Sequence, residues 1–318
     1  MRLREVSFIV LLVVIAVFLR VYPYFISGLP FSVDAWPSIR YAEILLERTP
    51  IGLGDESAFG GHYDELGDRL FGAVISELTG MQPIQAMAIF LPIAGAMSIL
   101  ILYALVKELY NREVSFTASI LLTTAFTDVI LTASVKGETY VHPLYLFLIF
   151  LFLNQDMNKW KKTLLFTITS ATLVLTHYYT AILSLAILAS IGFAMLIIRK
   201  RKEVTLQRCN LLLPSILAGS ILMYLWLYAN WAFDFISTID WLSAASYQLV
   251  FFVLALYLTL KPQANNQKTM ALKCITVLAA TLIFTWLATK SPLVPGAPTL
   301  PTHYLLYATP FIVASPLC

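Results

Sequence analysis

Charge is what this sequence has least of. Asp, Glu, Lys and Arg make up 12% of its 318 residues while hydrophobic types make up 59%, and a water-soluble domain carries about twice that charge. With a mean hydropathy of +0.80, the chain is excluded from the soluble globular class. The formal net charge of +3 comes with no Lys/Arg block interleaved with aromatics, so nucleic acid is not an expected partner. The only cysteines are Cys209, Cys274 and Cys318. They are scattered and fall on the predicted inner, reducing side, which excludes a zinc site of the Cys/His type. Also missing are a Walker motif, a Gly-x-Gly-x-x-Gly fingerprint and a Gly-x-Ser-x-Gly elbow, so nothing supports nucleotide-driven chemistry.

What the chain has in abundance is long apolar runs. Windows long enough for a hydrocarbon core fall at 6–25, 84–106, 115–132, 139–153, 163–177, 179–198, 210–229, 243–260, 271–288 and 304–318. The expected fold is therefore all-α: a polytopic membrane helix bundle of about ten spans, forming a single membrane domain over residues 1–318. No small-x-small cleavage site follows the run Val6 to Tyr22, so this run reads as a signal anchor. The last window is cut at Ala314-Ser-Pro-Leu-Cys318, inside what should be the tenth span.

Charge position supplies the orientation. With a cytoplasmic N-terminus, fifteen Lys and Arg residues fall in inner segments and five in outer ones, which satisfies the positive-inside rule in one orientation only. Lys159-Trp-Lys-Lys162 and Arg199-Lys-Arg-Lys202 both mark the inner side. The apolar stretch between them must therefore turn outside, near Thr176-His-Tyr-Tyr-Thr180. Acidic residues collect mostly in the outer segments, so the outer face is expected to carry the polar chemistry, in a multi-pass protein of the cell membrane.

One outer loop is long, about residues 26–83, and long loops in compact proteins are usually functional. It predicts one or two in-plane amphipathic helices. Asp34 stands where it can cap the first, and Thr49-Pro50 ends it. Ile39, Ala42, Leu45 and Leu46 share one face, with Arg40, Glu43 and Glu47 on the other, a pattern suited to lying along an interface. The second helix covers Asp68 to Leu78.

Here a resemblance enters. The wording Val33-Asp-Ala-Trp-Pro-Ser-Ile-Arg-Tyr-Ala-Glu-Ile-Leu-Leu-Glu47, placed after a first span, is similar to the Asp-Ala-x-x-His-x-Arg-x-Ala phrase of the archaeal members of the GT-C superfamily. These are lipid-linked-sugar glycosyltransferases and include oligosaccharyltransferases and protein O-mannosyltransferases. Thr176-His-Tyr-Tyr-Thr-Ala181 resembles another archaeal phrase, Thr-His-x-x-Thr-Ala. Ser134-Val-Lys-Gly-Glu138 resembles the second outer loop of oligosaccharyltransferases, although their Asp-x-Glu pair is absent here.

The resemblance implies an inverting transfer of a sugar from a polyprenyl-phosphate donor, at the outer membrane surface, to a glycan or protein acceptor. Asp34 would be the general base. Lys136, Arg40, His177, Tyr178 and His303 would bind donor or phosphate, His303 standing where relatives often carry an arginine. A divalent cation, Mn or Mg, would rest on Glu138 and His142, which fall one turn apart on a helix start.

Residue-level reading leaves plainer roles open: a cap for Asp34, a surface pair with Glu43 or Glu47 for Arg40, a local hydrogen bond for Glu138 and His142, and a backbone contact for His177. The rival class is non-enzymatic, a lipid-carrier flippase or a structural component of an envelope glycan pathway. A transporter should carry paired ionisable groups or broken helices near the midplane, and Asp128 is the mid-chain residue to watch.

Overall fold

The computed structural model describes residues 3–48, 65–201 and 212–228, and all regular structure among them is helical. We number the helices α1 Leu3–Ser27, α2 Ala35–Glu47, α3 Gly67–Thr79, α4 Pro83–Ala96, α5 Ser98–Leu109, α6 Arg112–Thr124, α7 Phe126–Ala133, α8 Gly137–Leu153, α9 Lys159–Thr176, α10 Tyr178–Arg201 and α11 Leu212–Leu227. The later expected spans, the Lys261–Lys268 connector and His303 lie outside the described residues.

Helix α1 is apolar on every side, and Val10, Leu11, Val14 and Phe18 are each more than half exposed, the surface expected of a segment solvated by lipid. Among the described residues three helical stretches are long and apolar enough to cross a membrane: Glu5–Ser27, Pro83–Leu109 and Tyr178–Leu196. This is a membrane protein.

Two expected spans are not single straight helices. The 84–106 window is divided at Met97, between α4 and α5. The 115–132 window bends by 61° at Ala125, between α6 and α7. Ala125 adopts an extended backbone (φ −62°, ψ 109°) that breaks the helical ladder, and nothing in its side chain announces that.

Local signals account for several ends. Asn111 and Asn158 accept from the backbone amides of Val114 and Trp160, both at 2.9 Å, and start α6 and α9. Pro83 occupies the first position of α4, where its missing N–H costs nothing. Gly80 ends α3 at φ +70°, a conformation that favours glycine. Buried Lys162 reaches the carbonyl of Asn154 and so binds the C-terminus of α8, whose final carbonyls lack helical partners.

The predicted turn of the 163–198 stretch is present, since α9 stops at Thr176 and α10 starts at Tyr178. The core of the described residues includes an α8–α11 cluster that contains Tyr145, Phe166 and Leu217, one in which Ala16 of α1 meets Ile99 of α5 and Leu122 of α6, and a smaller one in which Ile39 and Ala42 of α2 and Ala73 of α3 pack on Met87 and Leu91 of α4. That smaller cluster docks α2 and α3 on the bundle.

Candidate active site

Four segments far apart in sequence meet at one end of the bundle. The carbonyl of Phe31, ahead of α2, accepts from Val135 N at 3.2 Å, which ties the Asp34 loop to the α7–α8 connection. Leu66 N donates to Leu175 O at 3.1 Å, bringing the start of α3 to the end of α9. A methyl group placed on Gly67 would lie 1.8 Å from Thr176 Oγ1, and one on Gly137 would lie 3.2 Å from Thr176 O. Both glycines let backbone approach where any side chain would separate the segments.

The polar groups gathered there are Glu65, Asp68, Glu138 and His177. His177 Nδ1 is 2.8 Å from Thr180 Oγ1 and accepts from Thr180 N at 3.3 Å, so the imidazole caps α10. With Nδ1 accepting, the proton belongs on Nε2. Nε2 faces Glu138 Oε1 at 3.6 Å and Glu65 Oε1 at 4.0 Å. The bond expected from His177 to a backbone carbonyl is thus replaced by one from a backbone amide.

Asp68 is 2% exposed. It is hydrogen-bonded to Ser38 of α2, with Arg69 and Glu138 as neighbouring charges, while its Oδ2 has no hydrogen-bond partner among the described residues. Burial pushes its carboxyl above the usual carboxylate range. The Arg69 guanidinium also lies 4.4 Å above the Tyr41 ring.

The sequence-derived candidates are distributed unevenly. Asp34 is exposed at the N-cap position of α2, but its side chain makes no capping bond. Its backbone is already helical (φ −69°, ψ −8°), whereas a capping residue is usually extended, so the expected cap is corrected. Lys136, half-buried, holds the N-cap position of α8, and no ion pair to it forms among the described residues. Arg40 pairs with Glu43 at 2.9 Å on the exposed face of α2. Tyr178 is 4% exposed and packs in the α8–α11 core with its ring 4.3 Å from that of Tyr179.

Glu138 and His142 turn to different partners. Glu138 faces His177, while His142 Nε2 lies 3.0 Å from Asp128 Oδ1. That carboxylate also meets Arg20, Nη2 to Oδ2 at 2.6 Å, and all three side chains are fully buried. Among the described residues no three His, Cys, Asp or Glu side chains converge as a metal site. The donors as placed therefore do not fit a fully coordinated divalent cation, which takes six or more oxygens.

Two features emerge only from tertiary contact. Glu65 and Asp68 were visible as outer acidic residues, yet only the docking of α3 onto Ser38 and Gly137 brings Asp68 inward. Arg20 and Asp128 are 108 residues apart. Their depth in apolar runs was the available clue.

A family profile described as dolichyl-phosphate-mannose-protein mannosyltransferase matches residues 69–212. A search of curated proteins finds no match. Among solved structures, the apo oligosaccharyltransferase of Archaeoglobus fulgidus is similar at a TM-score of 0.56 and 13% identity, covering 98% of this chain and 50% of that one. The same enzyme tethered to an acceptor peptide gives 0.51 at 14% identity, with 99% and 49% covered. Its complex with an inhibitory peptide and a dolichol-phosphate gives 0.50 at 13% identity, with 99% and 50% covered. The chain spans about half the length of these structures. The profile matches the middle of the chain, and the fold along nearly all of it is similar to that of the archaeal oligosaccharyltransferase.

Proposed function

We propose that the chain is an inverting glycosyltransferase that moves a sugar from a polyprenyl-phosphate carrier to an acceptor at the outer surface of the membrane. The observation that carries this reading is the convergence of the Asp34 loop, Glu65–Asp68, Lys136–Glu138 and His177 at one end of an apolar bundle. A lipid-linked sugar presents its phosphate and anomeric carbon at such an end. The acceptor is a peptide or glycan, as the peptide complexes of the similar archaeal enzyme suggest.

In the transfer, the acceptor's nucleophilic atom bonds to the anomeric carbon as the bond from that carbon to the phosphate oxygen breaks. The acceptor's proton passes to Asp34, whose exposed carboxylate makes no capping bond to α2. The departing phosphate takes the electron pair and gathers negative charge. Lys136 and the positive N-terminal end of α8 offset that charge. His177, held by Thr180, orients Glu138 and Glu65 toward the acceptor. Trp36 beside Asp34 is about half exposed and offers the sugar an aromatic face.

Purified protein incubated with a panel of radiolabelled polyprenyl-phosphate sugars and membrane extract tests the reading. The expected result is label in an acceptor with release of the lipid phosphate. Binding of every donor without transfer would overturn it.

One observation favours the transport alternative: the buried Arg20–Asp128 pair beside the helix break at Ala125. Donor translocation in protein-reconstituted vesicles with no acceptor glycosylated would decide for that reading.

A further inference from the structure

Arg20, Asp128 and His142 take no part in the transfer just described, yet each is fully enclosed and held by several contacts. Each nitrogen of the Arg20 guanidinium makes a bond: Nε donates to Thr132 Oγ1 at 2.6 Å, Nη1 to Ala16 O at 3.1 Å and Nη2 to Asp128 Oδ2 at 2.6 Å. The Thr132 hydroxyl passes the chain on by donating to Asp128 O at 2.5 Å. The other carboxylate oxygen faces His142 Nε2 at 3.0 Å. The network thus joins α1, the half-helix α7 and α8.

What these helices lead to gives the network its meaning. Asp128 and Thr132 lie on α7 just before the Ser134–Lys136 connection, and His142 lies on α8 just after it. The network therefore grips both arms of the connection that carries Lys136. Thr139 closes it from inside, its hydroxyl donating to Ser134 O at 2.6 Å and to Leu131 O at 3.0 Å. His142 is four residues beyond Glu138, so both side chains leave α8 on the same face. Any rotation of α8 that frees His142 from Asp128 also turns Glu138 away from His177. A buried ion pair is often no more stabilising than well-packed apolar residues, so stability alone does not explain three ionisable groups inside this bundle.

We propose that Arg20, Asp128 and His142 are positioning residues that set the rotation of α8 and the placement of the Ser134–Glu138 segment at the reacting end. The reaction they serve rests on the glycosyltransferase reading, but the geometric effect does not. Asp128 is the hub, Arg20 fixes it to the first span, and His142 transmits its position to Glu138.

The test compares His142→Ala with His142→Gln, whose side-chain amide still donates to Asp128; in both variants the Arg20–Asp128 pair is intact. Full-length protein carrying nitrogen-labelled histidine is read by NMR, only four imidazoles being present in the wild-type chain. Donor turnover is measured alongside. His142→Ala should displace the His177 imidazole resonances and lower kcat about 10- to 100-fold, the usual cost of losing an orienting partner behind a site, with KM for the donor within about twofold; His142→Gln should restore both. If His142→Ala does not fold, the paired substitution Arg20→Gln/Asp128→Asn, which removes both charges together, supplies the same comparison. An unmoved His177 resonance in folded His142→Ala, or in the paired Arg20→Gln/Asp128→Asn variant that stands in for it, would overturn the proposal. If the resonance moves but wild type transfers no sugar, the positioning stands and the transfer reading fails.

Discussion

Removing Asp128 alone should be far more damaging than removing Asp128 and Arg20 together. In Asp128→Leu the Arg20 guanidinium, 2.6 Å from the lost carboxylate and fully buried, keeps only Thr132 Oγ1 and Ala16 O as partners. Stranding a buried charge in this way costs about 3–5 kcal/mol. In Arg20→Met/Asp128→Leu the charge is gone, and what remains is the His142 imidazole without its 3.0 Å acceptor, a loss of about 1–3 kcal/mol. At about 2 °C per kcal/mol for a chain of this size, the single variant should melt about 6–10 °C below wild type and the double about 2–6 °C below. The assay is the fraction of detergent-solubilised protein that remains monodisperse after heating, for wild type, both single variants and the double. A double variant no more stable than Asp128→Leu would refute the reasoning, because it would show that lost packing rather than stranded charge sets the cost.

Other expected outcomes follow from close approaches and burial. Gly67→Ala should fail to fold or lose about 1–3 kcal/mol, since the new methyl meets Thr176 Oγ1 at 1.8 Å and Thr176 Cα at 2.9 Å; Gly72→Ala should cost less because its obstacle is the flexible end of Met87 at 2.5 Å, and equal melting points for the two would contradict this. Asp68→Asn should stabilise the protein at pH 7 and lose that advantage on acidification. The folded-state pKa of Asp68 is raised by burial, so its contribution to stability is full below the ordinary carboxylate value of about 3.9 and declines as pH rises through the raised value. A melting-point gain independent of pH would count against it. Cysteine at Lys136 or at exposed Glu47 should react with a membrane-impermeant maleimide in intact cells, and Cys209 and Cys274 should not. Labelling of Cys209 from outside would reverse the orientation.

Much of the architecture was legible because apolar length and helical periodicity are properties of single segments. The amphipathic pattern of residues 35–47 predicts the α2 that docks through Ile39 and Ala42 while Arg40 pairs outward with Glu43. The inner-type charges at Lys159–Lys162 and Arg199–Lys202 locate the turn at His177. What the sequence withholds depends on distance in space. Asp68 reads as a solvated helix-start acid until α3 packs its polar side onto Ser38 and Gly137. Glu138 and His142 share a helical face, as their spacing requires, but their partners come from the α9–α10 junction and from α7, and only tertiary contact assigns one to His177 and the other to Asp128. Asp34 shows the opposite failure. A residue type well suited to capping sits at the capping position, and the helical backbone there leaves its carboxylate free of the bond.

That free carboxylate makes the central claim directly testable. Asp34→Asn removes the charge and the capacity to take a proton, and because the side chain supports no cap, Asp34→Ala should leave the fold equally intact. The decisive measurement is sugar transfer by both variants beside wild type, with lipid-donor binding and thermal midpoint matched. Turnover about 10²- to 10⁴-fold lower, at unchanged midpoint and near-unchanged donor affinity, is the expected result. Near-normal turnover in the folded Asp34→Asn protein would contradict the account and leave Asp34 without a catalytic role.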